Sequence, residues 1–211
     1  MLPFMLYDQQ GNRKYLTKSE RQAFIDAARR AAPEVETFCL TLAFTGARIS
    51  EVLALVPLRI DTSANAIIIE SLKKRKRGIY RAVPVPLDLL IRLDEVHAVV
   101  ERRSNPNFNQ LRIWNWSRTT AWNRVRIIMR AAGIVEGPAM PKALRHAFGV
   151  GGTQAGVPLN LIQRWLGHAD IQTTAIYTDV MGDEERILAE RMWSHVERRR
   201  DSRLFDGLRS V

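Results

Sequence analysis

The sequence predicts a mainly helical α+β domain with one small antiparallel sheet that ends in an exposed hairpin. Three observations predict it. Apolar residues recur at helical spacing along most of the chain, punctuated by capping residues. β-branched residues concentrate in one place, where AIIIESL and IYRAVPVP flank the basic turn KKRKRG. At 211 residues, 46% apolar and 26% charged, the chain can bury one sizeable core. No internal repeat or low-complexity linker divides it.

In chain order, residues 1–15 read as a loose N-terminal arm. Within LTKSERQAFIDAARRAA, Thr17 followed by Glu20 forms a capping box that opens a first helix with Phe24, Ile25 and Ala28 apolar. Pro33 opens a second helix, PEVETFCLTLAF, whose nearly continuous apolar half predicts burial on several sides. Gly46 ends it, and a third helix, ARISEVLALV, follows. A short strand at 58–60 precedes the two hairpin strands. A helix over 87–100 comes next, then a loop at ERRSNPNFNQ and a strongly basic helix, RTTAWNRVRIIMRAAG, ending at Gly133. GIVEGPAMP is a second loop. The last third is helical in pieces, over 142–155, 158–166, 171–178 and 183–200. The final piece spaces Ile187, Leu188, Met192, Trp193 and Val196 helically, a stripe that packs in cis or docks on a neighbour.

Lys and Arg total 32 against 22 acids, a formal net charge of +10, so the expected large partner is a polyanion such as nucleic acid rather than a membrane surface. No uninterrupted apolar window reaches membrane-spanning length, and MLPFMLYDQQ lacks the pattern of a secretory leader. The expected location is cytoplasmic. The one cysteine, Cys39, excludes a disulfide framework or a cysteine-ligated cluster and reads as a small buried hydrophobe within FCLTLAF.

The chemistry-bearing positions are scattered along the chain. A phosphodiester repels nucleophiles and gains charge on its nonbridging oxygens during in-line attack, so fixed guanidinium forks lower the barrier. Arg48 stands at a helix start just after a glycine, and Arg145 lies on a distant helix, so the two can converge on one phosphate. Gly167 supplies a left-handed cap that turns His168 round the end of a helix. Tyr177 follows nine residues after His168. A phenol titrates near 10, so as a nucleophile it needs cations or a base beside it.

Taken in order, TGARISE, MPKALRHAF and WLGHADIQTTAIYTDV resemble the tyrosine recombinase (phage integrase) family, from Leu16 to about Val196. The resemblance implies that family's catalytic-domain fold over 16–211, with a C-terminal helical tail. By that resemblance Arg48 binds the scissile phosphate, Glu51 buttresses it, Arg145 is the second fork, and His168 hydrogen-bonds the phosphate. Tyr177 is then the nucleophile, leaving a 3′-phosphotyrosyl bond and a free 5′-hydroxyl. Where the family shows His-x-x-Arg-His, this chain has Lys142, Ala143, Leu144, Arg145 and His146. Lys142 keeps a donor at the histidine position but replaces a titratable imidazole with a compact cation. His146 reads as helix packing.

In the family a hairpin lysine protonates the leaving oxygen. Lys73, at the strand end, is the first choice and Lys74 the alternative. Lys74, Arg75, Lys76 and Arg77 of the turn, with Arg118 and Arg124 and also Arg126 and Arg130, are expected to contact DNA phosphates. Trp114, Trp116 and Trp122 read as core. Because the ester stores the energy of the broken bond, the resemblance implies neither ATP nor metal, and no cofactor is expected. The expected partners are double-stranded DNA and further copies of the chain, by family resemblance a tetrameric synapse on DNA. The separate helical core-binding domain that precedes this unit in larger relatives is expected to be absent, as in an excised domain or a naturally minimal recombinase of the fimbrial-inversion type. The function implied is site-specific recombination. The alternatives are type IB topoisomerase-like nicking and resealing, a non-catalytic DNA-binding regulator of recombinase ancestry, and a basic structural protein.

Overall fold

The computed structural model describes residues 6–8, 10–72, 78–135, 139–177, 190 and 193. The turn residues Lys73, Lys74, Arg75, Lys76 and Arg77, and Ile187, Leu188, Met192 and Val196 of the tail, lie outside the described residues. Helix α1 (Lys18–Arg29) opens as expected: Glu20 N donates to Thr17 Oγ1, and Thr17 N to the Glu20 carboxylate. Helix α2 (Pro33–Thr45) runs through the middle of the core, with Phe38, Cys39, Leu42 and Ala43 sealed from solvent. Its all-round apolarity follows from its neighbours, because it packs against α1, α4 and α7. Gly46 caps it at φ 60°, and α3 (Ile49–Leu53) starts three residues later, shorter than predicted.

A 3₁₀ turn (Pro57–Arg59) occupies most of the predicted first strand, since Pro57 removes a ladder donor, and β1 is only Ile60–Asp61. It pairs antiparallel with β2 (Ala66–Glu70), which pairs in turn with β3 (Tyr80–Pro84), giving the order β1-β2-β3. The register sets Ile67 opposite Val83 and Ile69 opposite Arg81. Strand alternation therefore buries Arg81 on the same face as Val83, while Tyr80, Ala82 and Pro84 face out.

Two expectations fail in this half. The helix predicted over 87–100 breaks at Ala98, whose left-handed φ of 50° separates α4 (Leu87–His97) from α5 (Val99–Ser104). Asp94 Oδ1 accepts Val100 N, supplying α5 with the N-terminal acceptor it otherwise lacks. Helix α5 thus occupies the start of the predicted ERRSNPNFNQ loop, and Arg102 pins it by donating to the carbonyls of Leu111 and Arg112. Helices α6 (Arg118–Ala131), α7 (Pro141–Gln154), α8 (Leu159–Leu166) and α9 (Gln172–Ala175) follow the prediction closely, α9 being shorter.

The described part of the N-terminal arm is not loose. Lys14 N donates to Leu6 O, Tyr7 and Arg13 form a β-bridge, and Arg13 closes an ion pair with Glu20 at 2.6 Å. Asp8 Oδ1 takes the amides of Gln10 and Asn12 and so builds the turn between them. Leu6 and Tyr15 then pack with Val150, Ile162, Leu166 and Tyr177 in a second, smaller core. No helix among the described residues is long and apolar enough to cross a membrane.

Candidate active site

Beside the second core lies a cavity of about 340 Å³, lined by Arg48, Lys142, Arg145, His146, His168 and Tyr177 among others. Its first wall is the α2–α3 junction. Arg48 is the extended residue before α3, and Glu51, one turn on, reaches back to accept from Arg48 N at 3.0 Å and from its guanidinium at 2.7 Å. Glu51 is fully buried and also accepts from Arg81 Nη2 at 2.6 Å. Burial pushes the Glu51 carboxyl up, but the charge and hydrogen bond of Arg81, with Arg48 behind them, hold it below its ordinary value. Arg81 completes its fork on Trp165 O at 2.7 Å and Ser71 Oγ at 3.1 Å, so the sheet, α3 and the end of α8 meet on one guanidinium. Glu51 therefore ties Arg48 to the sheet through Arg81.

The second wall is α7. Arg145 donates Nη1 to Gly46 O at 2.9 Å and Nη2 to Leu166 O at 2.6 Å, gripping the C-terminal carbonyls of α2 and α8. Burial, then the neighbouring Arg48, pushes its guanidinium down to about 9, still cationic at neutral pH. Lys142 lies one turn before His146 on the same helix and lines the cavity.

The third wall is the stretch after α8. Gly167 ends α8 at φ 67°, and a side chain there would press on Arg81 and Ser71 at 3.1 Å. His168 follows, its Nδ1 paired with Thr174 Oγ1 at 2.9 Å and its ring lying nearly parallel to that of Tyr177 at 6.4 Å. Burial, then Arg145 and Arg48, pushes the imidazole down to about 3, so His168 meets a ligand as a neutral ring. Tyr177 is 1% exposed, and its ring packs on α7 where residue 149 is glycine; a Cβ there would fall 2.3 Å from Tyr177 Cε2. Its hydroxyl lies 3.3 Å from His146 Nδ1. Burial raises the phenol to about 12, while Arg145 and Arg48 pull the other way.

The structure thus brings together Arg48, Glu51, Lys142, Arg145, His168 and Tyr177, from segments more than a hundred residues apart. Arg118 joins the cavity wall from α6, whereas Arg124 does not: its guanidinium lies 3.9 Å from the Trp116 ring centroid and 4.0 Å from Glu34. Three residues go beyond the sequence reading. His146, read as packing, touches the Tyr177 hydroxyl. Arg81 is the buried partner of Glu51, legible only through the alternation of β3. Trp122, read as core along with the buried Trp114, is 37% exposed and lines the cavity. Arg48, Arg118, Lys142 and Arg145 bring positive charge to the cavity wall, and among the described residues there is no group of three or more His, Cys, Asp or Glu side chains that could hold a metal ion.

Against known proteins, the sequence profile of the Phage integrase family matches residues 14–184. The tyrosine recombinase XerD of Mycobacterium tuberculosis is 34% identical over 141 residues, covering 64% of this chain and 44% of that protein. The tyrosine recombinase XerA of Pyrococcus furiosus is 30% identical over 184 residues, covering 84% and 61%. A crystal structure of XerA recombinase superposes with a TM-score of 0.67 at 26% identity, covering 84% of this chain and 64% of that one. The chain spans about half the length of the curated relatives it matches. Its three motifs, its mainly helical fold with a three-stranded sheet and these matches agree, and the chain belongs to the phage integrase family, the tyrosine recombinases.

Proposed function

We propose that this chain is the catalytic unit of a site-specific recombinase that cleaves and rejoins double-stranded DNA through a 3′-phosphotyrosyl intermediate. One observation carries the reading: the Tyr177 hydroxyl is buried against a cavity that Arg48, Lys142, Arg145 and His168 of the same chain also line. In this reading Arg48, steadied by Glu51, and Arg145 take the nonbridging oxygens, and their charge stabilises the phosphorane as it forms. Neutral His168, with Nδ1 committed to Thr174, offers Nε2 to the same phosphate. Lys142 adds a fixed cation where the family carries a titratable ring. In this reading Tyr177 acts in cis, on a phosphate held by the Arg48 and Arg145 that line the same cavity. Lys73, or Lys74, on the hairpin that β2 and β3 begin, protonates the leaving 5′-oxygen.

Arg118, with the turn cations Lys74, Arg75, Lys76 and Arg77, follows the DNA backbone, and Arg124 serves at the outer edge. The ester keeps the energy of the broken bond, so resealing needs no ATP. Copies of the chain assemble on DNA through the tail around Trp193, and the protein works in the cytoplasm. The test is incubation with nicked suicide DNA drawn from the flanks of its own coding region. An SDS-resistant protein–DNA adduct in wild type, absent in Tyr177→Phe, is the expected result. Binding to that DNA without an adduct overturns the catalytic reading. Relaxation of supercoiled plasmid lacking those flanks points instead to nicking and resealing alone.

A further inference from the structure

Among the described residues the Tyr177 hydroxyl has one hydrogen-bond partner, His146 Nδ1. The other ring nitrogen of His146, Nε2, is buried without a partner among the described residues. A histidine kept for packing alone gains nothing from that orphan, and a buried polar atom left unsatisfied asks for a functional explanation. His168 is committed elsewhere, through Thr174 and its stacked ring. At position 142, where the family pattern has an imidazole, this chain has an ammonium, which donates a proton but offers no lone pair while charged. The imidazole four residues on, one helical turn further along α7, is the one that meets the nucleophile.

Resting on the recombinase reading, we infer that His146 is a catalytic residue whose Nδ1 takes the Tyr177 proton as the phenol oxygen attacks phosphorus. The Tyr177 O–H bond breaks and an Nδ1–H bond forms. The new O–P bond forms as the P–O5′ bond breaks, and the departing oxygen takes its proton from a separate acid, the hairpin lysine of the reading above. Resealing runs each transfer backwards, and His146 returns the proton to Tyr177. Accepting at Nδ1 places the hydrogen of the neutral ring on Nε2.

The surroundings suit a base that waits for its substrate. His146 is faced by Lys142 and Arg145 from α7, by Lys14 from the N-terminal segment, and by His168 and Tyr177 across the cavity, with Arg48 beyond. Burial first, then Lys142, Arg145 and Lys14, keeps the ring neutral, pushed down to about 4. A phosphodiester seated between the arginines offsets the cations and lets an imidazolium form at the moment of attack.

The experiment is single-turnover adduct formation on saturating suicide DNA from the coding-region flanks, with a 5′-bridging phosphorothioate at the cleavage position. A thiolate leaves without a proton, so this substrate isolates the tyrosine side of the reaction. Wild type is expected to give a rate flat between about pH 6 and 9, as a base acting above its own titration range does. His146→Asn keeps an acceptor near the Nδ1 position but takes no proton; it is expected to bind DNA as wild type and to cleave about 10²–10⁴-fold more slowly at pH 7. Its rate should climb about tenfold per pH unit, as hydroxide replaces the base. A variant rate within threefold of wild type overturns the role, as does a loss confined to the all-oxygen substrate. Should the variant fail to fold, the wild-type profile decides alone, because a tenfold rise per pH unit there leaves no base to assign. Wild type that binds but forms no adduct sinks the recombinase reading together with this one, whereas wild-type adduct beside an unimpaired variant sinks only His146.

Discussion

Arg81 on β3 and Glu51 on α3 meet 2.6 Å apart with both side chains buried, and the same carboxylate holds Arg48 at the cavity. The pair therefore joins the sheet to the arginine that the proposed mechanism places on the phosphate. Removing one partner of such a pair strands a charge, at a cost of about 3–5 kcal/mol, while replacing both with apolar side chains is often neutral. Arg81→Met is expected to lower unfolding stability in urea by about 3 kcal/mol or more, and Arg81→Met/Glu51→Leu to recover most of it. Cleavage should stay low in the double variant, because Arg48 has lost its anchor. A single variant as stable as wild type, or a double variant that cleaves normally, defeats the argument.

Tyr177 owes its position to Gly149. A Cβ at 149 would sit 2.3 Å from Cε2 and 2.5 Å from Cζ of the tyrosine ring, inside van der Waals contact, so alanine must push the ring away. Overpacking of this kind costs about 1–3 kcal/mol, partly offset by the better helix propensity of alanine, about 1 kcal/mol. The larger effect is chemical, since a nucleophile displaced by about 1 Å loses about 10²-fold in rate. Gly149→Ala should fold, bind DNA, and form adduct at least about 100-fold more slowly. Gly151→Ala is the control, its Cβ meeting only Arg21 Nη1 at 3.8 Å, and should cleave normally. Equal rates for the two variants remove the steric account.

Why these groups converge was only partly legible in the sequence. Capping signals and periodicity placed α1, α2, α6, α7 and α8, because the apolar spacing is local and Thr17, Pro33, Gly46, Gly133 and Gly167 act on chain within a few residues of themselves. The family motifs then identified Arg48, Arg145, His168 and Tyr177, which the fold gathers at one cavity. What escaped depended on contacts distant in sequence. Arg81 is ordinary until the register sets it inward opposite Ile69 and the carboxylate of Glu51 comes within reach. His146 is a helical histidine until Tyr177, thirty-one residues on, folds back against it. The break at Ala98 rests on Asp94 capping α5, which no periodicity of apolar residues reports. The N-terminal residues read as loose because their apolar partners, Val150, Ile162 and Leu166, lie at the other end of the chain.

Three of the four histidines are held neutral, and this makes the fold acid-sensitive. Burial pushes His97, His146 and His168 down to about 4, about 4 and about 3, with Arg102 adding to the effect at His97 and the site cations at the other two. In the unfolded chain each titrates near 6.5. Between about 6.5 and those depressed values the unfolded chain binds more protons than the folded one, so stability is complete above about pH 6.5 and falls as the pH drops. Each histidine fully withdrawn from water contributes up to about 1.4 kcal/mol per pH unit in that window. His97 and His168, only partly buried, contribute less. Glu51, held low by Arg81, has the same sign but acts later, its contribution being lost only below about 4.5 as the pH falls through its folded value. The melting temperature is therefore expected to decline steadily from pH 7 to pH 5 and to steepen below 4.5. His97 accepts or donates at Thr37 Oγ1, 2.8 Å away and remote from the cavity, so His97→Gln tests one contribution without touching the chemistry. That variant should show a shallower decline from pH 7 to pH 5 and unchanged adduct formation at pH 7.5. A melting temperature that holds level or rises on acidification to pH 5 would mean that the buried rings are not the groups that set acid stability.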